Sequence, residues 1–204
     1  RAKVPILVIN TTALNTGHNF QVTATWMGEP PAGIDAEIDA NYRLRRMYYQ
    51  EDAPGDYARV PIGRAVGASA CVPGVFEPIV FKNLYRDLSR NQDVIVGLVD
   101  GGVHDNQGVG SLIGEDCQVM LVSDASGQMV SDDAPAGGIF QPLLRTNTIF
   151  QSRLREAEYR DLDSRRRSSL LRGLMFVHLK KDLDSAVVDW KDTKDPYAAS
   201  TENT

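Results

Sequence analysis

The stretch VGLVDGGVHDNQG, residues 96–108, decides the fold and site predictions for this chain. Its apolar run, Val96–Val99, predicts the end of a buried strand, and the run stops abruptly at Asp100. Gly101 and Gly102 follow and allow the backbone to pass close to a substrate or a neighbouring loop. Open α/β sheets bind ligands at the carboxyl ends of their strands, so Asp100 is a candidate catalytic carboxylate.

Strand-like apolar runs and helical patterns alternate along the rest of the chain. Further strands are predicted at 4–9, 20–28, 92–99, 118–127 and 174–179, and helices after Pro61, within 105–117 and over about 143–174. Several of the strands are uniformly apolar, which is typical of a parallel sheet covered on both faces. The sequence therefore predicts a single α/β domain over residues 1–204 with a mostly parallel central sheet, ending in an acidic tail.

Composition narrows the classes of function. The 204 residues are 42% hydrophobic and 24% charged with a net charge of -5, which argues against nucleic acid as a partner. No apolar run approaches the ~18 residues of a spanning helix, and no signal peptide is recognisable. Cys71 and Cys117 lack C-x-x-C spacing, so we expect free buried thiols in a reducing compartment, the cytoplasm.

Four segments resemble patatin-like phospholipases, most closely the bacterial proteins of that family. LVDGGVHDNQG (98–108) resembles the family's D-G-G/A segment, including the asparagine that follows it, Asn106. AVGASACVPGVFEPI (65–79) resembles its A-S-x-A-x-P-x-x-F-x-P block. VPILVINTTALNTG (4–17) and CQVMLVSDASG (117–127) are similar to the strands on either side. The segments occur in the family's order, and the resemblance is clearest over residues 4–130.

The resemblance implies a patatin-like three-layer sandwich and a lipid acyl hydrolase of the phospholipase A type, with a Ser-Asp dyad, no catalytic histidine and no cofactor. It gives Asp100 the role of base and orienter for a serine hydroxyl, with Gly101, Gly102 and Asn106 supporting the site. The family's serine lies in a G-x-S-x-G nucleophile elbow that precedes all four segments, and this chain contains no such motif. We therefore expect a fold incomplete at its N-terminus, a nucleophile outside these 204 residues and no activity from the chain alone.

Two serines inside the chain are alternative nucleophiles. Ser69 in GASAC has the first glycine of an elbow but Cys71 in place of the second, and no apolar strand precedes it. Ser126 in SDASG follows a strand, but Asp124 stands where a glycine is needed. With His104 as base, either serine would make a self-contained hydrolase with a Ser-His-Asp triad. Ser69 and His104 are accordingly predicted to lie near the substrate.

Acidic residues near the strand ends raise the question of a metal site. Asp100, Asp105 and Asp124 are of the right type for a divalent cation, but no D-x-D spacing supports one. We therefore expect no metal.

The long helical region is rich in charge. Residues 151–173 contain seven arginines and four interleaved acids, which is typical of a solvated helix laced with salt bridges. Positive charge is least balanced at Arg165, Arg166 and Arg167, so a peripheral contact with a membrane is predicted there.

Two classes of function follow. The first is the portion of a lipid acyl hydrolase just described, acting on a lipid or another acyl ester. The second is a non-catalytic α/β module of the same family kept for binding or assembly, and the missing nucleophile elbow favours it.

Overall fold

The computed structural model of this chain describes residues 5–31, 33, 35–126, 129, 132–135, 137–138 and 140–178. In chain order the elements are β1 (Ile9–Ala13), β2 (Asn19–Val22), β3 (Trp26–Gly28), β4 (Met47–Tyr48), α1 (Ile62–Ser69), β5 (Ile79–Asp87), β6 (Gln92–Asp100), α2 (Val109–Gly114), β7 (Val119–Asp124), α3 (Phe140–Arg167) and β8 (Gly173–His178). Short 3-10 turns lie at Gly55–Tyr57 and Gly101–Val103.

The main sheet has six strands in the order β4-β3-β2-β1-β6-β5, and it is curled. Every neighbouring pair in it is antiparallel. The central strand β1 pairs with both β2 and β6, so that Thr11 stands opposite Phe20 on one side and Asp100 on the other. Asp100 is the last residue of β6 and therefore lies beside the middle of β1.

The predicted three-layer α/β sandwich with a mostly parallel sheet is wrong, because the main sheet is antiparallel. The turns explain the difference. Residues 14–18 connect β1 to β2 and residues 88–91 connect β5 to β6, whereas a parallel crossover needs about a dozen residues or more. A uniformly apolar run such as Val94–Val99 is equally compatible with a central antiparallel strand. Among the strands of the described residues, only β7 and β8 pair in parallel, with α3 in the connection between them.

Several element predictions are confirmed and others are not. The predicted helices after Pro61, within 105–117 and near 143–174 correspond to α1, α2 and α3. The predicted strand at 4–9 begins only at Ile9, and the single strand at 20–28 is a hairpin whose turn is held by the Thr23 hydroxyl. Strand β5 was not predicted. Val4 and the tail after His178 lie outside the described residues.

Two hydrophobic clusters hold the elements together. The larger one lies between α1 and the curled sheet, and it contains Ala65, Ala68, Phe20, Phe81 and Leu98 among its buried members. The smaller one joins α2, β7 and α3 through buried residues: Val109, Met120, Val122, Leu162 and Leu171.

A side-chain hydrogen bond joins the sheet to α2. Gln21 on β2 donates to the hydroxyl of Ser111 on α2 at 2.8 Å. No helix in the described part of the chain is both long and apolar enough to cross a membrane.

Candidate functional site

Asp100 is held in place from two sides through its backbone. Its N–H donates to the carbonyl of Cys71, just after α1, at 2.9 Å. Its carbonyl accepts from the Thr12 hydroxyl on β1, also at 2.9 Å. Its side chain closes a short turn, because Oδ1 accepts from the N–H of Gly102 at 2.7 Å. The carboxylate therefore has a defined orientation, and it lies half-buried at the end of its strand.

Gly101 and Gly102 are required by close approach rather than by unusual backbone angles. A Cβ at Gly101 would lie 2.4 Å from the carbonyl oxygen of Asn10, which is backbone of β1. A Cβ at Gly102 would lie 2.6 Å from Oδ1 of Asn106 and 3.1 Å from Oδ1 of Asp100. The turn thus packs directly on β1 beneath and on the Asn106 side chain above.

A cavity of about 1000 Å³ opens at Asp100. Four other residues predicted from the sequence line it: Gly101, Gly102, Asn106 and Ser69. Part of its wall is apolar and comes from Ile6, Leu7, Val66 and Leu112. A carboxylate beside an apolar wall is an arrangement that suits an ester with a hydrocarbon chain.

Asn10 also lines this cavity, and it was not predicted from the sequence as a site residue. Its Oδ1 accepts hydrogen bonds from the Ser111 hydroxyl at 2.6 Å and from the Asn19 amide at 3.2 Å. Ser111 lines the same cavity, so these contacts form a polar floor between β1 and α2. In the sequence, Asn10 could have been noticed as the polar residue that ends the apolar run ILVIN. Its partner Ser111, however, lies 101 positions further along the chain.

The loop after Asp100 is anchored by a second carboxylate. Asp105 is buried, and its two oxygens accept from the N–H groups of Val109 and Gly110 at the start of α2, at 3.1 and 2.7 Å. Glu158 of α3 faces Asp105 and shares a hydrogen bond with it. Burial of the Glu158 side chain, together with the negative charge of Asp105, raises the pKa of Glu158 to about 8. Glu158 is therefore largely protonated near neutral pH.

We predict that Glu158→Gln flattens the pH dependence of stability. The pKa of Glu158 is about 8 in the folded protein against 4.5 ordinarily, so the folded state binds more protons than the unfolded state between these values. The free energy of unfolding should therefore fall as pH rises through that range. Glutamine stays neutral, so the variant should lose this decrease in the free energy of unfolding. Urea unfolding at about pH 5 and pH 8.5 measures the difference in that free energy.

Glu156→Gln on the same helix is the matched control for this prediction. Glu156 pairs with Arg153 and Arg160 on the exposed side of α3. This variant should therefore keep the wild-type dependence of the free energy of unfolding on pH. If the free energy of unfolding of Glu158→Gln depended on pH as it does in the wild type, the assignment of a protonated Glu158 would be contradicted.

His104 is not arranged as a catalytic base. It is exposed, it does not line the cavity, and no hydrogen bond among the described residues joins it to Asp100. Protein beneath the ring desolvates it and lowers the pKa of His104, while the charge of Asp105 acts in the opposite direction. Its backbone N–H donates to the carbonyl of Gly101 at 3.1 Å, so its observed role is in the turn.

The two internal serines have different surroundings. Ser69 is the last residue of α1 and lies half-buried at the Asp100 cavity. Ser126 lies at a separate cavity of about 280 Å³, which shares only Asn106 with the first. Both the N–H and the hydroxyl of Ser126 donate to Asp124, so this serine is committed to a buried carboxylate.

Asp124 serves as an internal hydrogen-bond acceptor. Burial alone would favour its protonated form, but the hydrogen bonds from Ser126 and Gln107 and the charge of Arg155 lower the pKa of Asp124. Arg155 lies 3.5 Å and His178 3.4 Å from its Oδ2. Among the described residues, no group of three or more His, Cys, Asp or Glu side chains is arranged to hold a metal ion.

The arginines at the end of α3 are paired within the helix. Arg165 contacts Asp161 at 2.8 Å, while Arg166 and Arg167 both contact Asp163, at 2.7 and 2.6 Å. The hydrogen bonds from Arg166 and the charges of both arginines lower the pKa of Asp163. The positive charge at this end is therefore largely balanced by neighbouring acids.

Comparison with known proteins adds no family assignment. No family model, no curated protein and no solved structure matches this chain. The resemblance to patatin-like phospholipases thus rests on the four sequence segments, and the site rests on the geometry around Asp100.

Proposed function

We propose that this chain is a portion of a lipid acyl hydrolase in which Asp100 is the base of a Ser-Asp dyad. The observation that carries the proposal is the fixed carboxylate of Asp100 at the mouth of a cavity of about 1000 Å³. The N–H of Gly102 donates to Oδ1 of Asp100. The other oxygen of that carboxylate, Oδ2, accepts the proton of the attacking serine hydroxyl. The apolar wall accommodates the acyl chain, and the serine–carboxylate pair supplies nucleophilic catalysis without a cofactor.

The nucleophile comes from polypeptide outside these 204 residues. Ser69 is poorly suited to the role because it ends a helix, and the C-terminal end of a helix carries negative partial charge. That charge opposes both an alkoxide and the oxyanion that forms after attack. Ser126 is unsuited because its hydroxyl already donates to Asp124.

An apolar surface that is exposed in the described part of the chain supports a further segment beside it. The parallel pair β7–β8 packs one face on α2 and α3 through Met120, Val122 and Phe176. Its other face is also apolar and is exposed: Val119, Leu121, Met175 and Val177. Parallel strands are normally covered on both faces, and a sheet of two strands is marginal alone. In this proposal the segment that covers the face brings the serine.

Labelling with a fluorophosphonate tests the source of the serine. The complete protein should react covalently at a serine that maps outside residues 1–204, and the isolated chain should not react. Label on Ser69 or Ser126 would overturn the dyad in favour of a self-contained hydrolase. Absence of label and of ester hydrolysis in the complete protein would favour the non-catalytic binding or assembly module, for which the exposed face of β7–β8 is the supporting observation.

The proposed partners are lipids or other acyl esters, and the proposed location is the cytoplasm, with a peripheral contact at a membrane surface. Cys71 and Cys117 are both free thiols, in keeping with a reducing compartment. A peripheral contact through Arg165, Arg166 and Arg167 belongs to the same hypothesis, although their ion pairs with Asp161 and Asp163 weaken the attraction for anionic headgroups.

A further inference from the structure

A series of side-chain hydrogen bonds runs from Arg46 to the floor of the cavity at Asp100. The Nη2 group of Arg46 donates to Oε1 of Gln21 at 3.2 Å. Nε2 of Gln21 donates to the hydroxyl of Ser111 at 2.8 Å, and that hydroxyl donates to Oδ1 of Asn10 at 2.6 Å. Gln21 and Ser111 are both buried. The series ends on Asn10, which lines the same cavity as Asp100.

Arg46 sets the direction of every hydrogen bond in this series. A guanidinium has donors only, so Gln21 must turn its oxygen to Arg46 and its nitrogen to Ser111. The Ser111 hydroxyl accepts from Gln21 and must donate its own proton to Asn10. A reversed Asn10 amide would place two donors on Ser111 and leave that proton without an acceptor. The amide of Asn19 also donates to Oδ1 of Asn10, at 3.2 Å.

The amide nitrogen of Asn10 is left as a hydrogen-bond donor at the cavity. Two donors occupy its Oδ1, whereas Nδ2 donates to no acceptor among the described residues. Nδ2 lies 3.1 Å from the place that a Cβ on Gly108 would take, and Gly108 lines the cavity. A Cβ on Gly101, the residue after Asp100, would lie 3.3 Å from Cβ of Asn10. The donor and the proposed base therefore belong to one wall of the cavity.

We propose that Nδ2 of Asn10 donates a hydrogen bond to the carbonyl oxygen of the ester, and that Gln21 and Arg46 are positioning residues for this donor. A side-chain amide is one of the groups that stabilise the oxyanion of acyl transfer, and a donor fixed before the reaction needs no reorganisation during it. The inference rests on the proposed lipid acyl hydrolase and adds to it a second group that this chain supplies.

The donor acts on the charge that develops during attack. The serine oxygen bonds to the carbonyl carbon, the electron pair of the C=O π bond moves to the carbonyl oxygen, and the serine proton passes to Asp100. Asn10 then donates to an oxyanion, which accepts more strongly than the neutral carbonyl. When the C=O bond forms again, the ester C–O bond breaks and the leaving oxygen takes the proton from Asp100.

Two substitutions of Asn10 in the complete protein test the donor. Asn10→Asp keeps an oxygen for Ser111 and Asn19 but removes the N–H group, and Asn10→Ala removes it without adding charge. Each should lower kcat for a p-nitrophenyl ester by roughly 10²–10³-fold. KM should change by less than about threefold, because the interaction strengthens only in the transition state. Urea unfolding of the same preparations shows that the variants are folded.

Gln21→Glu tests the direction of the series from outside the cavity. A carboxylate still accepts from Arg46 but cannot donate to Ser111, so the Ser111 proton turns to residue 21. The Asn10 amide then turns its nitrogen to Ser111. Asn19 can follow because its buried Oδ1 has no partner among the described residues. We expect kcat to fall by at least ~10-fold with KM little changed, which a purely structural role of Gln21 would not produce.

Asn83→Asp is the matched control, since it makes the same change at an exposed position of β5. It should leave kcat and KM within about twofold of wild type. Loss of kcat in Asn10→Asp but not in Asn10→Ala would assign the effect to the added charge and overturn the inference. A wild-type kcat in Gln21→Glu would overturn the positioning role.

The failure of this inference is distinguishable from the failure of the proposed function. Wild-type kcat in both Asn10 variants, together with its loss in Asp100→Asn, would overturn the oxyanion donor and leave the Ser-Asp dyad standing. Absence of ester hydrolysis by the wild-type complete protein would overturn both.

Discussion

Asp100→Asn is expected to lower kcat/KM for a p-nitrophenyl ester by roughly 10³–10⁴-fold in the complete protein. The substitution removes the negative charge that accepts the serine proton. It keeps an Oδ1 that still accepts from the Gly102 N–H, so the turn at residues 100–102 remains closed. The free energy of unfolding should consequently stay within about 1 kcal/mol of wild type. Initial-rate kinetics and urea unfolding of the same preparation measure both quantities.

Asp93→Asn is the matched control, since Asp93 lies on the same strand but is exposed and remote from the turn. It should change neither kcat/KM nor the free energy of unfolding appreciably. If Asp100→Asn kept more than about a third of the wild-type kcat/KM, Asp100 would not be the base, and the dyad would have to be abandoned. Equal losses in both variants would point instead to an effect of net charge on substrate binding.

The position of Asp100 was predictable because it depends on a local pattern. An apolar run that ends in a carboxylate and two glycines marks a strand end, and β6 does end at Asp100. The direction of the neighbouring strands was not predictable in the same way. Val94–Val99 pairs antiparallel with β5, and its last residues pair antiparallel with β1, but the same residues would suit a parallel strand. The short connections at 14–18 and 88–91 contain the deciding information, because each is too short for a parallel crossover.

The residues that complete the site depend on contacts that no local pattern records. Asn10 meets Ser111, and Glu158 meets Asp105, across 101 and 53 positions of the chain. Glu158 illustrates the difficulty, because in the sequence it is one of four acids on a charged helix. Only the position of α3 beside the loop of Asp105 turns it into a half-buried acid with a raised pKa.

Gly101→Ala is the second substitution expected to have a large effect, on both stability and activity. Its Cβ would lie 2.4 Å from the carbonyl oxygen of Asn10 and 2.9 Å from the carbonyl carbon. These atoms belong to the backbone at β1, which is paired on both sides and cannot move alone. Overpacking of this kind costs about 3 kcal/mol. A displacement of Asp100 by about 1 Å should lower kcat/KM by roughly 100-fold.

Two other glycines separate this steric cause from a general intolerance of alanine. At Gly102 the new Cβ meets the end of the Asn106 side chain, 2.6 Å away, which can rotate, so Gly102→Ala should cost about 1 kcal/mol or less. Gly63 lies in α1 with open space around its Cβ position, and alanine there should stabilise the protein by about 0.5–1 kcal/mol. The expected order of unfolding free energies is therefore Gly63→Ala, wild type, Gly102→Ala and Gly101→Ala, from highest to lowest. If Gly101→Ala were as stable as Gly102→Ala, the turn would not be packed on the backbone of β1, and the fixed orientation of Asp100 would lose its structural basis.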